Sequence, residues 1–492
     1  MRRALARVRA LAHAVLAPAL FTALFTALLT ALLTALLTAL VSDRAEAQGD
    51  ARASIAPLAR EILAEMVAAR TTEVGSTTPL AESLAQRFRA AGFATEDVML
   101  LSETERNRNL VVRVRGRDRS LPPRIFGAHL DVVGVEPTLW TTDPWKLTER
   151  DGVLYGRGVL DDKGPAAALS AAFIDLKRSG AVPARDLLLL LTASEENGPY
   201  NGVQYLVANR PDLTRGEFVI IADAGGGELA GGKRIAFGVQ AAEKVYADFT
   251  LTARGPGGHS SIPDGRSPID RLATAIDHLS RYTFPVNVNP VARTFLELRA
   301  PLTPGPDGVA MAALARDPND AEAIRRLSSS PVRNALLRTT CITTLLKAGT
   351  APNAIPAEAT ANVNCRIIPG ESPDTVLARI RRAIDSPDVE ISVTYAAVPS
   401  PPSVMPPALA RALDETLAEV YGAMPVIPYM EMGATDGLFL RNAGQQVLGI
   451  IGLFVDDEYR RTMHANDERV PAAAYEQMVE FTRRLVQRLS RP

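Results

Sequence analysis

The run Asp186-Leu187-Leu188-Leu189-Leu190-Leu191-Thr192-Ala193 offers no polar face to water. A continuous apolar run of this length fits a strand buried on both sides, as in the middle of a parallel sheet. Upstream, Arg124-Ile125-Phe126-Gly127-Ala128-His129 reads as a second apolar strand, and between the two lies a helix-forming stretch from Pro165 to about Arg178. Strand, helix, strand in that order describes an α/β crossover unit.

Each apolar strand runs into acids or a histidine. The first ends in His129-Leu130-Asp131, the second in Ser194-Glu195-Glu196, and a third, Gly216 to Ala222, in Asp223 followed by Gly225-Gly226-Gly227. In open α/β sheets, sites form at the carboxyl ends of strands. A neutral His can ligate a metal while a nearby carboxylate orients it or a second group, and two adjacent glutamates can divide metal binding from proton transfer. Taken singly, each has a plainer explanation: a core or surface histidine, acids at a helix start. Three strand ends with the same chemistry are harder to ascribe to chance.

Between the first two strands stands Tyr155-Gly156-Arg157-Gly158-Val159-Leu160-Asp161-Asp162-Lys163-Gly164-Pro165. Its glycines permit tight turns, and Pro165 suits the opening of a helix, where a missing N–H costs nothing. Carboxylates pinned in such a loop before a buried helix suit a bound cation. A solvated turn would explain the tetrapeptide Asp161–Gly164 by itself.

From about Ala241 the pattern changes. Val245 to Ala253 alternates like a strand with one solvated face, and Gly255-Pro256-Gly257-Gly258-His259 is a glycine-rich turn presenting one histidine. Residues 285–335, rich in Pro, Ala and Arg and weakly patterned, read as an insertion. Thr339–Leu346 and Ala357–Ile368 are strand-like, joined through Asn353. A hairpin there brings Cys341 near Cys365; a disulfide between them stays open, since direct cross-strand geometry is awkward. Thr435 or Asp436 is a candidate helix cap, Val447–Phe454 a buried strand, and His464-Ala465-Asn466-Asp467-Glu468 precedes a closing helix.

The chain has 492 residues, a net charge of -1, five histidines and two cysteines. The length favours two domains, the charge gives no reason to expect nucleic acid, and two cysteines exclude a disulfide framework or cysteine-rich zinc site. Residues 1–47 read as an export signal: Arg2, Arg3, Arg7 and Arg9, a long apolar run to about Val41, then Ala45-Glu46-Ala47 as a small-x-small cleavage site. The product would be periplasmic or secreted, with no stable membrane partner. The run also reaches the roughly 20 residues of a spanning helix, so an uncleaved membrane anchor is the alternative.

The ordered set His129-x-Asp131, Gly156-Arg157-Gly158-x-x-Asp161-Asp162-Lys163-Gly164, Glu195-Glu196, Asp223, Gly258-His259 and His464 resembles the co-catalytic di-zinc metallopeptidase family of aminoacylase, glutamate carboxypeptidase, acetylornithine deacetylase, succinyl-diaminopimelate desuccinylase and carnosinase. The resemblance covers nearly all of the chain after the export signal. It implies an α/β catalytic domain, with a mixed, mostly parallel sheet flanked by helices, in two parts (48–240 and 371–492), and an inserted α+β lid or dimerisation domain over 241–370. It implies two Zn2+, with Mn2+ or Co2+ as substitutes. His129 and Asp223 would hold one ion, Glu196 and His464 the other, and Asp161 would bridge both, with a cis peptide after it. Asp131 would sit behind His129, and Glu195 would be the general base and acid. In the lid, His259 would stabilise the developing oxyanion, and Asn353 and Arg366 would hold the polar end of a small peptide or N-acyl amino acid. A homodimer through the lid is allowed.

Two departures leave the substrate open. Many carboxypeptidase and deacetylase members carry Glu where Asp223 stands, which resembles the aminopeptidase and dipeptidase branch. The long lid insertion and Asn197-Gly198 resemble larger members that cleave N-acyl amino acids. A catalytically inactive periplasmic binding protein on the same scaffold is the competing reading; the complete ligand set and the retained Glu195 count against it.

Overall fold

A computed structural model describes residues 54–491 apart from 197–199, 264 and 266. The expected export signal and Asn197-Gly198 lie outside the described residues. Among those described, no helix is long and apolar enough to cross a membrane.

The larger sheet is mixed, with a parallel centre. In spatial order its strands are Val98–Leu101, Asn109–Val114, Leu187–Thr192, Arg124–His129, Phe218–Ile221, Val447–Gly449, Lys233–Glu243 and Val426–Glu431, with Gly226–Ala230 paired to Lys233–Glu243. Arg124–His129 runs parallel to both Leu187–Thr192 and Phe218–Ile221. The leucine run explains itself here. Leu187, Leu189 and Leu191 enter a core with Phe173 and the helices Ala56–Ala68, Lys163–Arg178 and Ala472–Ser490. Leu188 and Leu190 enter a second core on the opposite face with Val203, Leu206 and Leu440. Each buried leucine contributes about 1.5–3 kcal/mol, so none of the five leucines is replaced by a polar residue without cost.

The second sheet is antiparallel, in the order Thr340–Ala348, Glu358–Ile367, Val245–Arg254, Val389–Tyr395. One face is covered by Pro268–Arg281 and Pro373–Ile384, whose Leu272, Ala275, Val376 and Ile380 share a core with Phe249 and Val363. This core continues to Val389, past the boundary expected at residue 370, because that helix and strand complete the sheet's buried face. Cys341 and Cys365 face each other across neighbouring strands and form a disulfide.

One expectation needs correction and one needs filling in. Residues 285–335, weakly patterned in sequence, hold helices Pro290–Arg299, Pro306–Arg316, Ala321–Ser328 and Pro331–Leu337 with their own apolar cluster around Leu296, Leu314 and Leu337. The prolines that blurred the pattern open three of these helices, where Pro fits best. The strand expected over Val447–Phe454 stops at Gly449. Beyond it Gly452 passes beneath helix Ala472–Ser490, where a Cβ would lie 2.1 Å from the Phe481 ring.

Candidate active site

Three neighbouring parallel strands release their chains at one edge of the sheet, and His129, Glu195, Glu196 and Asp223 lie on or just beyond their last residues. Asp161 comes from the glycine-rich loop ahead of helix Lys163–Arg178, and His464 from the turn that follows Asp457–Arg460. The peptide Asp161-Asp162 is cis.

One carboxylate joins the two histidines. Asp161 Oδ1 lies 2.9 Å from His129 Nε2, and Asp161 Oδ2 lies 2.9 Å from His464 Nε2. Glu196 Oε1 is 2.7 Å from His464 Nε2, and Asp223 Oδ1 is 3.9 Å from His129 Nε2. The atoms of His129, Asp161 and Glu196 fall within 4.8 Å of one another, and so do those of His129, Asp162 and Asp223. Nitrogen and oxygen ligands bind catalytic metals at about 2.0–2.2 Å, so atoms this close can share a cation.

The residues around the cluster fix its geometry. His129 Nδ1 donates to the Asp131 carbonyl at 2.9 Å, which leaves Nε2 free to ligate. The Asp131 carboxylate is not itself hydrogen-bonded to the ring: its Oδ1 is 3.8 Å from Nδ1. Its oxygens instead accept the Glu195 and Glu196 N–H groups at 3.1 and 3.0 Å. Asp131 thus sits behind His129 through its backbone and holds the glutamate pair through its side chain. Asp162 accepts the His129 N–H at 2.9 Å, while its other oxygen is buried without a donor among the described residues. An orphaned carboxylate oxygen beside this cluster is costly unless a cation is near, which is a second sign that the donor set fits bound metal.

Sequence reasoning missed three contributors. Glu468, fully buried, accepts from Arg157 Nη1, Gly158 N and Leu160 N, each at 2.8 Å, and from Asp161 N at 3.2 Å. Its carboxylate is therefore the frame on which the Asp161 loop is wound. Asp436 does not cap the helix after it through its side chain. Burial pushes its carboxyl up to about 6, and it accepts from Thr192 Oγ1 and Asn201 Nδ2, each at 2.7 Å, bracing both ends of the segment that carries Glu195 and Glu196. Thr435 Oγ1 instead accepts the Gly437 N–H at 3.1 Å. The third contributor is Asp162. Glu468 and Asp436, with partners hundreds of residues away, leave no local signal, and Asp162 is distinguished from its neighbour Asp161 only by what it meets in the fold.

The lid candidates lie elsewhere. His259 is exposed on the short strand Gly258–His259, which pairs with Ala354–Ile355 just after Asn353. Its Nδ1 accepts the Ser261 N–H at 3.1 Å. Arg366 stacks on the Tyr246 ring at 4.8 Å. None of the three makes a hydrogen bond or ion pair with the His/Asp/Glu cluster among the described residues.

The electrostatics are those of a site waiting for positive charge. Burial, then Asp223, holds the Glu195 carboxyl well above its usual range, and burial, then Asp161, does the same to Asp223. Burial opposes ionisation of Asp161 too, yet hydrogen bonds with His129 and His464 hold it well below the usual range. Hydrogen bonds with Asp161 and Glu196 push His464 up to about 10, and His129 is raised against the effect of its burial by Asp161. Both shifts favour the protonated, cationic imidazole in the metal-free protein, and a ligating imidazole must be neutral. Loading metal at pH 7 is therefore expected to expel protons, and affinity to fall as pH falls. Titration calorimetry in buffers of different ionisation enthalpy reads this directly; a buffer-independent heat would contradict it.

Comparison with known proteins agrees with the geometry. Residues 125–488 match Peptidase family M20/M25/M40. The chain is 30% identical over 381 residues to the N-fatty-acyl-amino acid synthase/hydrolase PM20D1 of Xenopus tropicalis, covering 76% of this chain and 74% of that protein. It is 29% identical over 398 residues to the probable carboxypeptidase S-like 2 of Dictyostelium discoideum, covering 77% and 74%. Among solved structures it shares its fold with the M20 family metallo-carboxypeptidase Sso-CP2 of Sulfolobus solfataricus, at TM-score 0.66, 20% identity and coverage of 88% and 99%. Human carnosine dipeptidase 1 is similar at TM-score 0.63, 16% identity and coverage of 88% and 96%. With a ligand cluster at the mouth of a parallel sheet and a match over most of its length, the chain belongs to peptidase family M20/M25/M40 and is a metallohydrolase of the amidohydrolase and metallopeptidase type.

Proposed function

We propose that this chain cleaves the amide bond of small peptides or N-acylated amino acids with two divalent cations, zinc first and manganese or cobalt as substitutes. The observation that carries the reading is the Asp161 carboxylate, with one oxygen 2.9 Å from each histidine Nε2. A group so placed is suited to bridging. His129 and Asp223 would hold one ion, and Glu196 and His464 the other. When bound, the pair supplies Lewis acidity to the scissile carbonyl and favours ionisation of the attacking water.

The chain's own residues do the rest. Glu195 takes a proton from the attacking water and returns it to the leaving amine, and Asp131 fixes its backbone. His259, with Nδ1 accepting from Ser261, keeps its proton on Nε2 and can donate to a developing oxyanion. Arg366, seated over the Tyr246 ring and forming no ion pair among the described residues, has its fork open for a substrate carboxylate. Asn353 would add a polar contact at the same end. In this reading the domain built on the second sheet acts as the lid.

Metal analysis of the purified protein is expected to give about two divalent ions per chain. Hydrolysis of N-acyl amino acids or dipeptides should be lost on chelation and regained with zinc, manganese or cobalt. Full activity after complete metal removal would end the proposal. Export is part of the same reading, and mass measurement of the mature amino terminus should find cleavage near Ala47; an intact Met1 end would argue for an anchor.

A further inference from the structure

One buried carboxylate stands where the chain passes between the two sheets. Glu243 ends strand Lys233–Glu243 of the larger sheet, and Val245, two residues on, begins strand Val245–Arg254 of the second. After Val389–Tyr395 the chain returns past Ser400 and Ser403 to helix Pro407–Val420, which packs into the larger sheet's core. Glu243 and its partner Arg441 are both fully buried, and Arg441 Nη1 donates to Oε1 at 2.7 Å. Ser400 Oγ, on the returning segment, donates to the same oxygen at 2.7 Å. Oε2 accepts both the N–H and the hydroxyl of Thr435, each at 2.9 Å.

A buried ion pair is weak ground for stability, because the cost of desolvating two charges offsets much of their attraction. What this pair supplies is position, and the residue beside Thr435 shows for what. The Thr435 hydroxyl also accepts the Gly437 N–H at 3.1 Å, so the backbone is tied on both sides of Asp436. Asp436 in turn holds Thr192 and Asn201, which flank Glu195 and Glu196 in the chain. Hydrogen bonds thus run from Ser400 to Glu243 to Thr435, and one peptide link carries them on to Asp436 and the segment of the proposed general base.

We propose that Glu243 is a positioning residue for Glu195: it ties the junction of the two sheets, through Thr435 and Asp436, to the segment that carries the base. The effect on turnover rests on the amide-cleaving reading; the effect on the segment does not. Replacing Glu243 would strand a buried arginine, so the test cuts the run at its neutral links. Thr435→Val keeps the shape and loses both hydroxyl bonds, and Thr435→Ser keeps them. Ser400→Ala frees the same carboxylate from the returning chain. The control is Thr416→Val: Thr416 is buried too, but its hydroxyl donates to the Ala412 carbonyl at 2.6 Å within helix Pro407–Val420. With metal saturating, Thr435→Val is expected to lower kcat about tenfold at unchanged KM, short of the roughly 10²-fold that a misplacement of about 1 Å can cost. Thr435→Ser should restore it, Ser400→Ala should lower it by a smaller factor, and Thr416→Val should leave it at the wild-type value. Hydrogen exchange of the metal-free protein reads the segment without turnover. The peptide containing Glu195 and Glu196 should exchange faster in Thr435→Val and Ser400→Ala than in the wild type or Thr416→Val. Unchanged exchange there, no rescue by serine, or an equal loss of kcat in Thr416→Val would overturn the proposal. Faster exchange in a protein that turns over no amide would reject the catalytic reading and leave the positioning role standing.

Discussion

Glu195→Gln is expected to lower kcat by about 10²–10⁴-fold, the usual contribution of a positioned acid–base group, while metal content stays at its wild-type value. The amide is isosteric but cannot accept the proton of the attacking water. Glu195 belongs to neither group of mutually close ligand atoms, so its loss should spare the ions. Its backbone N–H stays bonded to Asp131 in the variant, which keeps the neighbouring Glu196 in place. Steady-state kinetics beside metal analysis checks both halves. A variant as active as the wild type would remove Glu195 from the mechanism, and one that loses its metal would place it among the ligands instead.

The second large effect is structural. Glu468→Ala removes the acceptor for a fully buried Arg157 and for the N–H groups of Gly158, Leu160 and Asp161. Leaving a buried charge without its partner costs about 3–5 kcal/mol, to which the orphaned amides add. The denaturation midpoint should fall accordingly, and because the same amides shape the loop carrying Asp161, the remaining folded protein should bind metal weakly. Glu468→Gln keeps one accepting oxygen and should fall between. Denaturant unfolding with parallel metal analysis tests this. Wild-type stability and metal content in Glu468→Ala would show that the loop holds itself.

What could be read from the chain alone follows the reach of each signal. The central strands declare themselves because both faces are buried, so every residue from Leu187 to Leu191 is apolar. The acids at their ends stand out against that background. Asp161 is legible because glycines bracket it. Glu468 and Asp436 are not, since what makes them matter is a donor more than two hundred residues away in sequence. Asp131 was identified but which group its carboxylate orients stayed open: the alternation of an extended chain says which way a side chain points, not which amide it meets, and the oxygens meet the Glu195 and Glu196 N–H groups. The inserted helices were obscured because Pro290, Pro306 and Pro331 look like breaks in a pattern, although each begins one. The disulfide stayed undecided because direct strand-to-strand pairing is uncommon, and the register alone brings Cys341 opposite Cys365.

The Asp161 loop depends on residues from the far end of the polypeptide, His464 for its second histidine and Glu468 for its shape. A growing chain that has already laid down His129, Asp161, Glu195, Glu196 and Asp223 still lacks the second histidine and the clasp that orients the loop. The proposed site is therefore not complete part-way through synthesis: its second histidine and the clasp of its central loop arrive only with residues 464–468.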